Sequence, residues 1–241
     1  MERLNALEAA QRILSAQFPD AMAAFLTGSA LTPRRTSTSD LDIVIVLPGP
    51  PAPFRETIRE YGWLIELFVQ TRASIKYFSD LEIARHHATT LKMIVDGHIL
   101  VSAQGEAERV QSEATNRLHK GPLALSIEEV RRRRYELTDQ LDDFIGASDP
   151  IELLFIGQQL VVGTSELALL SKSQWLASGK WLPRYLAESD PELSIQLFKA
   201  IESVITSGNK EPMKVAVLGI LSRVEGPLAE GYRISGEIPD M

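Results

Sequence analysis

The run Leu41–Leu47 constrains the fold of this 241-residue chain more than any other segment. It reads LDIVIVL, with Asp42 as its single polar residue, and it lacks the alternation of a half-exposed strand. A run that is apolar and β-branched on both faces predicts a buried central strand. The run Gly62–Gln70 predicts a second buried strand, and His98–Ser102 predicts a third, short strand.

The remaining segments divide the chain near residue 120. Helical spacing of apolar residues predicts helices over 2–17, 74–95 and 105–120, with a further short helix over 54–60. After Gly121-Pro122 the periodicity is helical, and the predicted helices lie near 126–145, 150–172, 180–188, 191–206 and 210–223, before an irregular tail at 225–241. We therefore predict an α+β protein: a domain over 1–120 with a small mixed sheet and helices, and an α-helical bundle over 121–241.

Composition excludes several classes of protein. There are no cysteines, so a disulfide framework, a thiolate zinc site and a cysteine nucleophile are ruled out. The net charge of −7 disfavours general binding to a nucleic-acid backbone. Polar residues interrupt Leu153–Leu170, the most apolar long stretch, and residues 1–18 lack the pattern of a signal peptide, so we expect a cytoplasmic protein with no membrane span.

Two aspartates begin the central strand. Residues two apart in a strand point to the same face, so Asp40 and Asp42 are expected to project side by side. Two carboxylates about 4 Å apart repel by roughly 4 kcal/mol at an effective dielectric constant near 20. The pair is therefore expected to share a proton or to bind cations, and Mg²⁺ prefers carboxylate and phosphate oxygens.

Glu66 lies within the otherwise apolar run WLIELFV, where a charge is costly without a partner. If the two strands are neighbours, Glu66 completes a three-carboxylate site of the kind that holds two metal ions. If its strand lies at an edge, Glu66 is an ordinary exposed acid, and Glu60 or Asp80 takes its place.

Gly28-Ser29 follows a short apolar run and precedes Asp40 by a gap of ten residues. Glycine allows close approach of the backbone to a phosphate, and a serine hydroxyl with the following N–H groups can hold an anion. The alternative for Ser29 is a plain helix cap.

As a set, these residues resemble the polymerase-β-like nucleotidyltransferase superfamily. The shared pattern is an apolar strand, Gly-Ser, a gap of about ten residues, Asp-x-Asp in a strand and a third carboxylate on a later strand. The segments Gly28–Ala30 and Ser39–Asp42 look closest to the antibiotic (aminoglycoside) adenylyltransferases and their relatives.

The resemblance implies a site, residue by residue. It implies that Asp40 and Asp42 bind the metal ions. It implies that Glu66 is either the third metal ligand or the general base. The implied nucleotide-binding residues are Gly28, Ser29, Ser39, Lys180 and Arg184. It also implies two Mg²⁺ ions, and ATP or another nucleoside triphosphate as co-substrate.

The helical half contains two further charged positions of interest. Arg134 lies on an apolar helical stripe, so it is expected to form an interhelical salt bridge or to bind phosphate in a cleft. Glu166 is expected to position the acceptor or to pair with Arg134.

The function predicted from the sequence is therefore Mg²⁺-dependent transfer of a nucleoside monophosphate, AMP from ATP in the first instance, with release of pyrophosphate. The expected acceptor is a hydroxyl of a small molecule such as an aminoglycoside-like antibiotic. Two alternatives stay open: a catalytically silent nucleotide-binding regulator, and an antitoxin-like enzyme that modifies a protein. A homodimer is among the assemblies left open, and nucleic acid is not an expected partner.

Overall fold

The structure is a computed structural model that describes residues 3–235. The chain divides into two compact units, Met1–Gly121 and Pro122–Met241. The first unit contains a sheet covered by helices, and the second is helical, so the predicted α+β class is confirmed.

A five-stranded mixed sheet forms the centre of the first unit. Its strands are β1 (Ala23–Thr27), β2 (Leu41–Val46), β3 (Phe54–Glu60), β4 (Trp63–Gln70) and β5 (His98–Ser102). Their spatial order is β3-β4-β2-β1-β5, with β2 parallel to β4 and the other neighbours antiparallel. β2 is thus the central strand, as its apolar sequence predicts.

The helix predicted over 54–60 is wrong, because this segment is strand β3. It pairs with β4 from Phe54 opposite Val69 to Glu60 opposite Trp63. Tyr61 and Gly62 both have positive φ, +49° and +77°, as a tight two-residue hairpin turn requires. The charged residues of β3 are mostly exposed at the edge of the sheet, so hydrogen bonds to β4 decide its conformation.

β4 is buried on one face only, rather than on both faces as its sequence predicts. Its odd-numbered residues from Trp63 to Val69 are buried, and the residues between them are partly or fully exposed. This alternation gives Glu66 access to solvent, whereas Ile65 and Leu67 point into the core.

Four helices complete the first unit: α1 (Ala6–Gln17), α2 (Arg72–Ile83), α3 (Thr89–Val95) and α4 (Glu106–His119). α1 packs its buried face against Leu41, Ile43 and Ile45 of β2 in one core cluster. Strand alternation therefore directs Asp40 and Asp42 toward the opposite face of the sheet.

The single helix predicted over 74–95 is divided into α2 and α3. His86 has a φ of +59°, which is incompatible with a continuous right-handed helix. The Glu82 carboxylate accepts from the N–H and the hydroxyl of Thr90, at 2.8 and 2.9 Å, and so supports the start of α3.

The α-helices in the described part of the second unit are α5 (Ile127–Gly146), α6 (Pro150–Ser171), α7 (Trp181–Ser189), α8 (Pro191–Ser207) and α9 (Glu211–Leu221). α6 contacts the other four helices. Gly163 of α6 has no Cβ, and an added Cβ would lie 2.9 Å from Leu137 of α5, so this glycine permits the close packing of the two helices.

Among the described residues, α6 is long and apolar enough to cross a membrane by length and composition alone. Half of its most apolar window is buried inside the structure. A core helix of a helical bundle satisfies the same criterion, so the absence of a membrane span stays a prediction.

Arg134 of α5 anchors the segment that follows α9. Its guanidinium donates to the Glu225 carboxylate at 2.7 Å and to the carbonyls of Glu225 and Gly226 at 3.0 and 2.8 Å. The predicted salt bridge therefore exists, but its partner lies in the irregular tail rather than on a helix. Residues 236–241 of the tail predicted as irregular lie outside the described residues.

Asp190 forms a polar junction in the helical unit. Its carboxylate accepts from the N–H of Leu193 at 3.1 Å, Lys172 Nζ at 2.9 Å and Arg223 Nη1 at 2.8 Å. Burial raises the pKa of this carboxyl, but the hydrogen bonds from Arg223, Lys172 and Leu193 outweigh burial and lower the pKa to about 2. The junction joins the C-terminus of α6, the N-terminus of α8 and the segment after α9.

Candidate active site

Three carboxylates meet where β2 lies beside β4. In the parallel register Asp42 is directly opposite Glu66, and Asp40 precedes Asp42 by two residues. One oxygen from each of the three side chains lies within 4.8 Å of the others. The structure therefore brings together the three acids that the sequence singled out, and all three are partly exposed.

The turn after β1 approaches this cluster closely. Thr27 lies opposite Asp42 in the antiparallel β1–β2 register, and Gly28 follows with a φ of +85°. A Cβ added at Gly28 would lie 2.2 Å from Asp42 Oδ2. Glycine is thus required at this position both for its backbone conformation and for the space that the carboxylate occupies.

Ser29 and Ser39 lie in the loop between β1 and β2 and are joined through their hydroxyls. Their Oγ atoms are 3.0 Å apart, and the N–H of Thr36 donates to Ser39 Oγ at 2.9 Å. Arg3 Nη2 donates to the carbonyl of Ser39 at 2.6 Å. Ser29 is the first residue of a short 3-10 turn whose N-cap is Gly28, so it is not the cap residue.

The two alternatives to Glu66 lie elsewhere. Asp80 is on α2, where Lys76 binds it at 2.7 Å and Arg117 also pairs with it. Glu60 is the last residue of β3, where Gln17 Nε2 donates to it at 3.3 Å. Because β4 has neighbours on both sides, Glu66 is not an edge residue.

Arg55 is a charged residue next to the cluster that sequence reasoning missed. Its Nη2 donates to Glu66 Oε2 at 2.7 Å. The sequence signal was available in the charged segment before Tyr61-Gly62, which fits an edge strand leading into a hairpin. Because residues 54–60 were interpreted as a helix, the pairing of this segment with the strand of Glu66 was not predicted.

The remaining candidate residues belong to the helical unit. Lys180 is exposed directly before α7, and the Arg184 guanidinium lies 4.6 Å from the centre of the Trp181 ring. Glu166 accepts from Arg133 Nη1 at 3.0 Å rather than from Arg134, so the pairing predicted for Glu166 is wrong by one residue. Binding of nucleotide by Lys180 and Arg184 stays a prediction.

The donor set at the cluster fits Mg²⁺. Carboxylate oxygens are the protein ligands that this ion accepts, and at Mg–O distances near 2.1 Å two ligands of one ion lie at most about 4.2 Å apart. The three carboxylate oxygens, which lie within 4.8 Å of one another, can therefore bind one ion after small side-chain rotations, or two ions about 4 Å apart. Asp40, Asp42 and Glu66 are the residues that can hold them.

Comparison with known proteins agrees with this geometry. The family model for a nucleotidyltransferase domain matches residues 7–99, a range that contains the Gly28 turn and all three carboxylates. No curated protein matches the sequence.

Two solved structures are similar to the chain. One is a nucleotidyltransferase-like protein from Exiguobacterium sibiricum, with 14% identity and a TM-score of 0.43 over 91% of this chain and 74% of that protein. The other is a spectinomycin adenyltransferase from Enterococcus faecialis, solved with ATP and spectinomycin, with 12% identity and a TM-score of 0.36 over 93% of this chain and 100% of that one. Residues 7–99 are therefore a nucleotidyltransferase domain of the polymerase-β-like type, and the enzyme class that this match supports is that of the nucleotidyltransferases.

Proposed function

We propose that this protein transfers AMP from ATP to a hydroxyl group of a small molecule, in a reaction that depends on Mg²⁺ and releases pyrophosphate. The observation that carries the proposal is the convergence of Asp40, Asp42 and Glu66 beside the Gly28 turn. Carboxylates brought this close repel one another unless cations bind between them, and divalent cations such as Mg²⁺ meet that need.

In the proposed reaction, the acceptor oxygen attacks the α-phosphorus of ATP. A bond forms between these two atoms, and the bond from the α-phosphorus to the oxygen that bridges to the β-phosphorus breaks. Pyrophosphate leaves, and the proton of the acceptor hydroxyl passes to Glu66 acting as general base. Mg²⁺ bound by Asp40 and Asp42 would neutralise phosphate charge and align the attacking and leaving oxygens.

The loop from Gly28 to Ser39 is the part of the chain that we assign to the triphosphate. The linked hydroxyls of Ser29 and Ser39 order this loop next to Asp42, and Gly28 lets its backbone lie close to the carboxylate. Lys180 and Arg184 are proposed to add positive charge for the phosphates. Rate acceleration would come mainly from positioning and charge neutralisation.

The acceptor is proposed to be an aminoglycoside-like molecule. The support is the acidic balance of the chain, with a net charge of −7, which favours a cationic partner over a polyanion. Glu166, partly exposed and held by Arg133, is a candidate for orienting an amine or hydroxyl of that acceptor.

The test is a pyrophosphate-release screen with the purified chain. ATP, GTP, CTP and UTP are each combined with a panel of aminoglycosides, other hydroxylated antibiotics and metabolites, with and without Mg²⁺. The proposal predicts Mg²⁺-dependent release with ATP and at least one small acceptor. ATP binding without release under any condition would instead indicate a silent regulator, and labelling of a co-purified protein would indicate a protein-modifying enzyme.

A further inference from the structure

Glu66 belongs to the carboxylate cluster and is also ion-paired to a neighbouring strand. Arg55 lies on β3, two residues before Thr57, which is directly opposite Glu66 in the antiparallel register. Residues two apart share a face of the sheet, so Arg55 reaches Glu66 diagonally and donates Nη2 to Oε2 at 2.7 Å. The β3–β4 hairpin therefore places a fixed cation at the border of the cluster.

A second contact holds the Arg55 guanidinium in this place. Its central carbon lies 4.7 Å from the centre of the Phe68 ring, within the range in which an aromatic face attracts a cation. Phe68 is two residues after Glu66 on β4, so both contacts lie on the same face of the same strand. The guanidinium is thus fixed by both the Glu66 carboxylate and the Phe68 ring.

The Arg55–Glu66 ion pair is expected to add little to the stability of the fold. The side chain of Arg55 is 61% exposed and that of Glu66 is 22% exposed, and exposed ion pairs contribute little to stability. Its effect on the charge of the cluster is larger, because the guanidinium offsets one of the negative charges that the three carboxylates bring together.

We propose that Arg55 is a positioning residue that withholds Glu66 from the metal ion. Arg55 engages one Glu66 oxygen, so Asp40 and Asp42 remain as the carboxylate ligands of the ion in the nucleotide-free protein. Glu66 is thereby kept as the proton acceptor for the incoming hydroxyl. This inference rests on the proposed function and decides between the two roles that the sequence left open for Glu66.

The test measures Mn²⁺ binding to the nucleotide-free, full-length protein by electron paramagnetic resonance. Arg55→Gln removes the competing cation and frees Glu66 to become a third carboxylate ligand, so Mn²⁺ should bind about tenfold more tightly, since ligand charge sets the affinity for divalent ions. Arg55→Lys keeps the charge, and its Mn²⁺ affinity should stay within about threefold of the native value.

Arg59→Gln is the matched control. Arg59 lies four residues further along β3 on the same face, opposite Leu64, so the variant removes the same charge from the same strand. Its Mn²⁺ affinity should lie within about twofold of the native value, because among the described residues it is Arg55, and not Arg59, that forms the ion pair with Glu66.

A kinetic measurement separates positioning from simple electrostatics. With Mg²⁺ and the acceptor saturating and ATP varied, Arg55→Gln should lower kcat about tenfold and change the KM for ATP less than about threefold, because Glu66 is displaced while the nucleotide contacts remain. Arg55→Lys should recover most of the lost kcat.

Two results would overturn the inference. Mn²⁺ affinity in Arg55→Gln that equals that of Arg59→Gln would show that Arg55 does not compete for Glu66. Weaker Mn²⁺ binding in Arg55→Gln would show that Arg55 instead supports Glu66 as a ligand. Either result leaves the proposed function standing if the native protein binds Mn²⁺ and releases pyrophosphate, whereas a native protein that does neither overturns both.

Discussion

The two units contain acidic groups in opposite electrostatic situations. In the helical unit, a single carboxylate, Asp190, receives two cationic side chains and a backbone N–H. In the sheet unit, three carboxylates converge and Arg55 pairs with one of them. A carboxylate neutralised by the protein holds elements together, whereas carboxylates gathered with excess negative charge are suited to bind cations from solution.

The largest expected effect comes from Asp42→Asn. Loss of one charged ligand should lower the rate of pyrophosphate release on the order of 10³-fold, while the circular dichroism spectrum and Tm stay close to native values. Asp20→Asn, at an exposed position after α1, is the control and should retain full activity. Native turnover in Asp42→Asn would show that Asp42 takes no part in the reaction. It would also contradict the contrast between Asp190 as a structural carboxylate and the three-carboxylate cluster as a cation-binding site.

Gly28→Ala tests whether the turn sets the position of Asp42. The new Cβ would overlap Asp42 Oδ2 and would add a side chain at a φ of +85°, which costs roughly 1–2 kcal/mol. A displacement near 1 Å at the site should lower activity on the order of 100-fold. Gly49→Ala, where the added Cβ has no neighbour within 4 Å, should leave activity unchanged. Equal activity in the two variants would show that the turn does not position the carboxylate.

Asp190→Ala should lower the free energy of unfolding of the helical unit by about 3 kcal/mol, because it leaves Lys172 and Arg223 without their shared carboxylate. Asp149 provides a matched comparison, since it also caps a helix that begins with proline but is exposed. Asp149→Ala should cost only about 1 kcal/mol, the value of a helix cap. Urea unfolding of the two variants measures the difference, and equal losses would show that the two cations add nothing to the cap.

The same carboxylate predicts a dependence of stability on pH. The pKa of Asp190 is about 2 in the folded protein against an ordinary value of 3.8. A depressed pKa stabilises the fold above the unfolded-state value, so about 2 kcal/mol should be present above pH 5 and be lost progressively as the pH falls toward 2. Asp190→Asn should flatten this part of the stability curve, and a native slope in that variant would exclude Asp190 as its source.

The convergence of the three acids follows from local rules that can be applied to the sequence. Strand alternation places Asp40 and Asp42 together, and an acid within an apolar strand marks Glu66. Arg55 could not be found in the same way, since its role depends on strand β3, which forms only by pairing with β4. Local charge pattern does not specify that partner.

The sequence alone also did not predict which charged side chains pair in the helical unit. Arg134 is expected from the sequence to meet another helix, but its partner Glu225 lies 91 residues later, after α9. Glu166 pairs with Arg133, one position from the residue expected, because a one-residue step rotates the side chain by about 100° around the helix. Sequence periodicity identifies a helical face, but the contacts across it depend on how the helices pack.

The most direct test of the account is the location of bound Mn²⁺. Crystals of the native protein would be soaked with MnCl₂ and a non-hydrolysable ATP analogue, and the anomalous difference map calculated at the manganese edge. The account predicts manganese density ligated by Asp40 and Asp42, with the triphosphate beside the Gly28 turn. A triphosphate bound there without manganese at the two aspartates, or manganese bound only elsewhere, would contradict it.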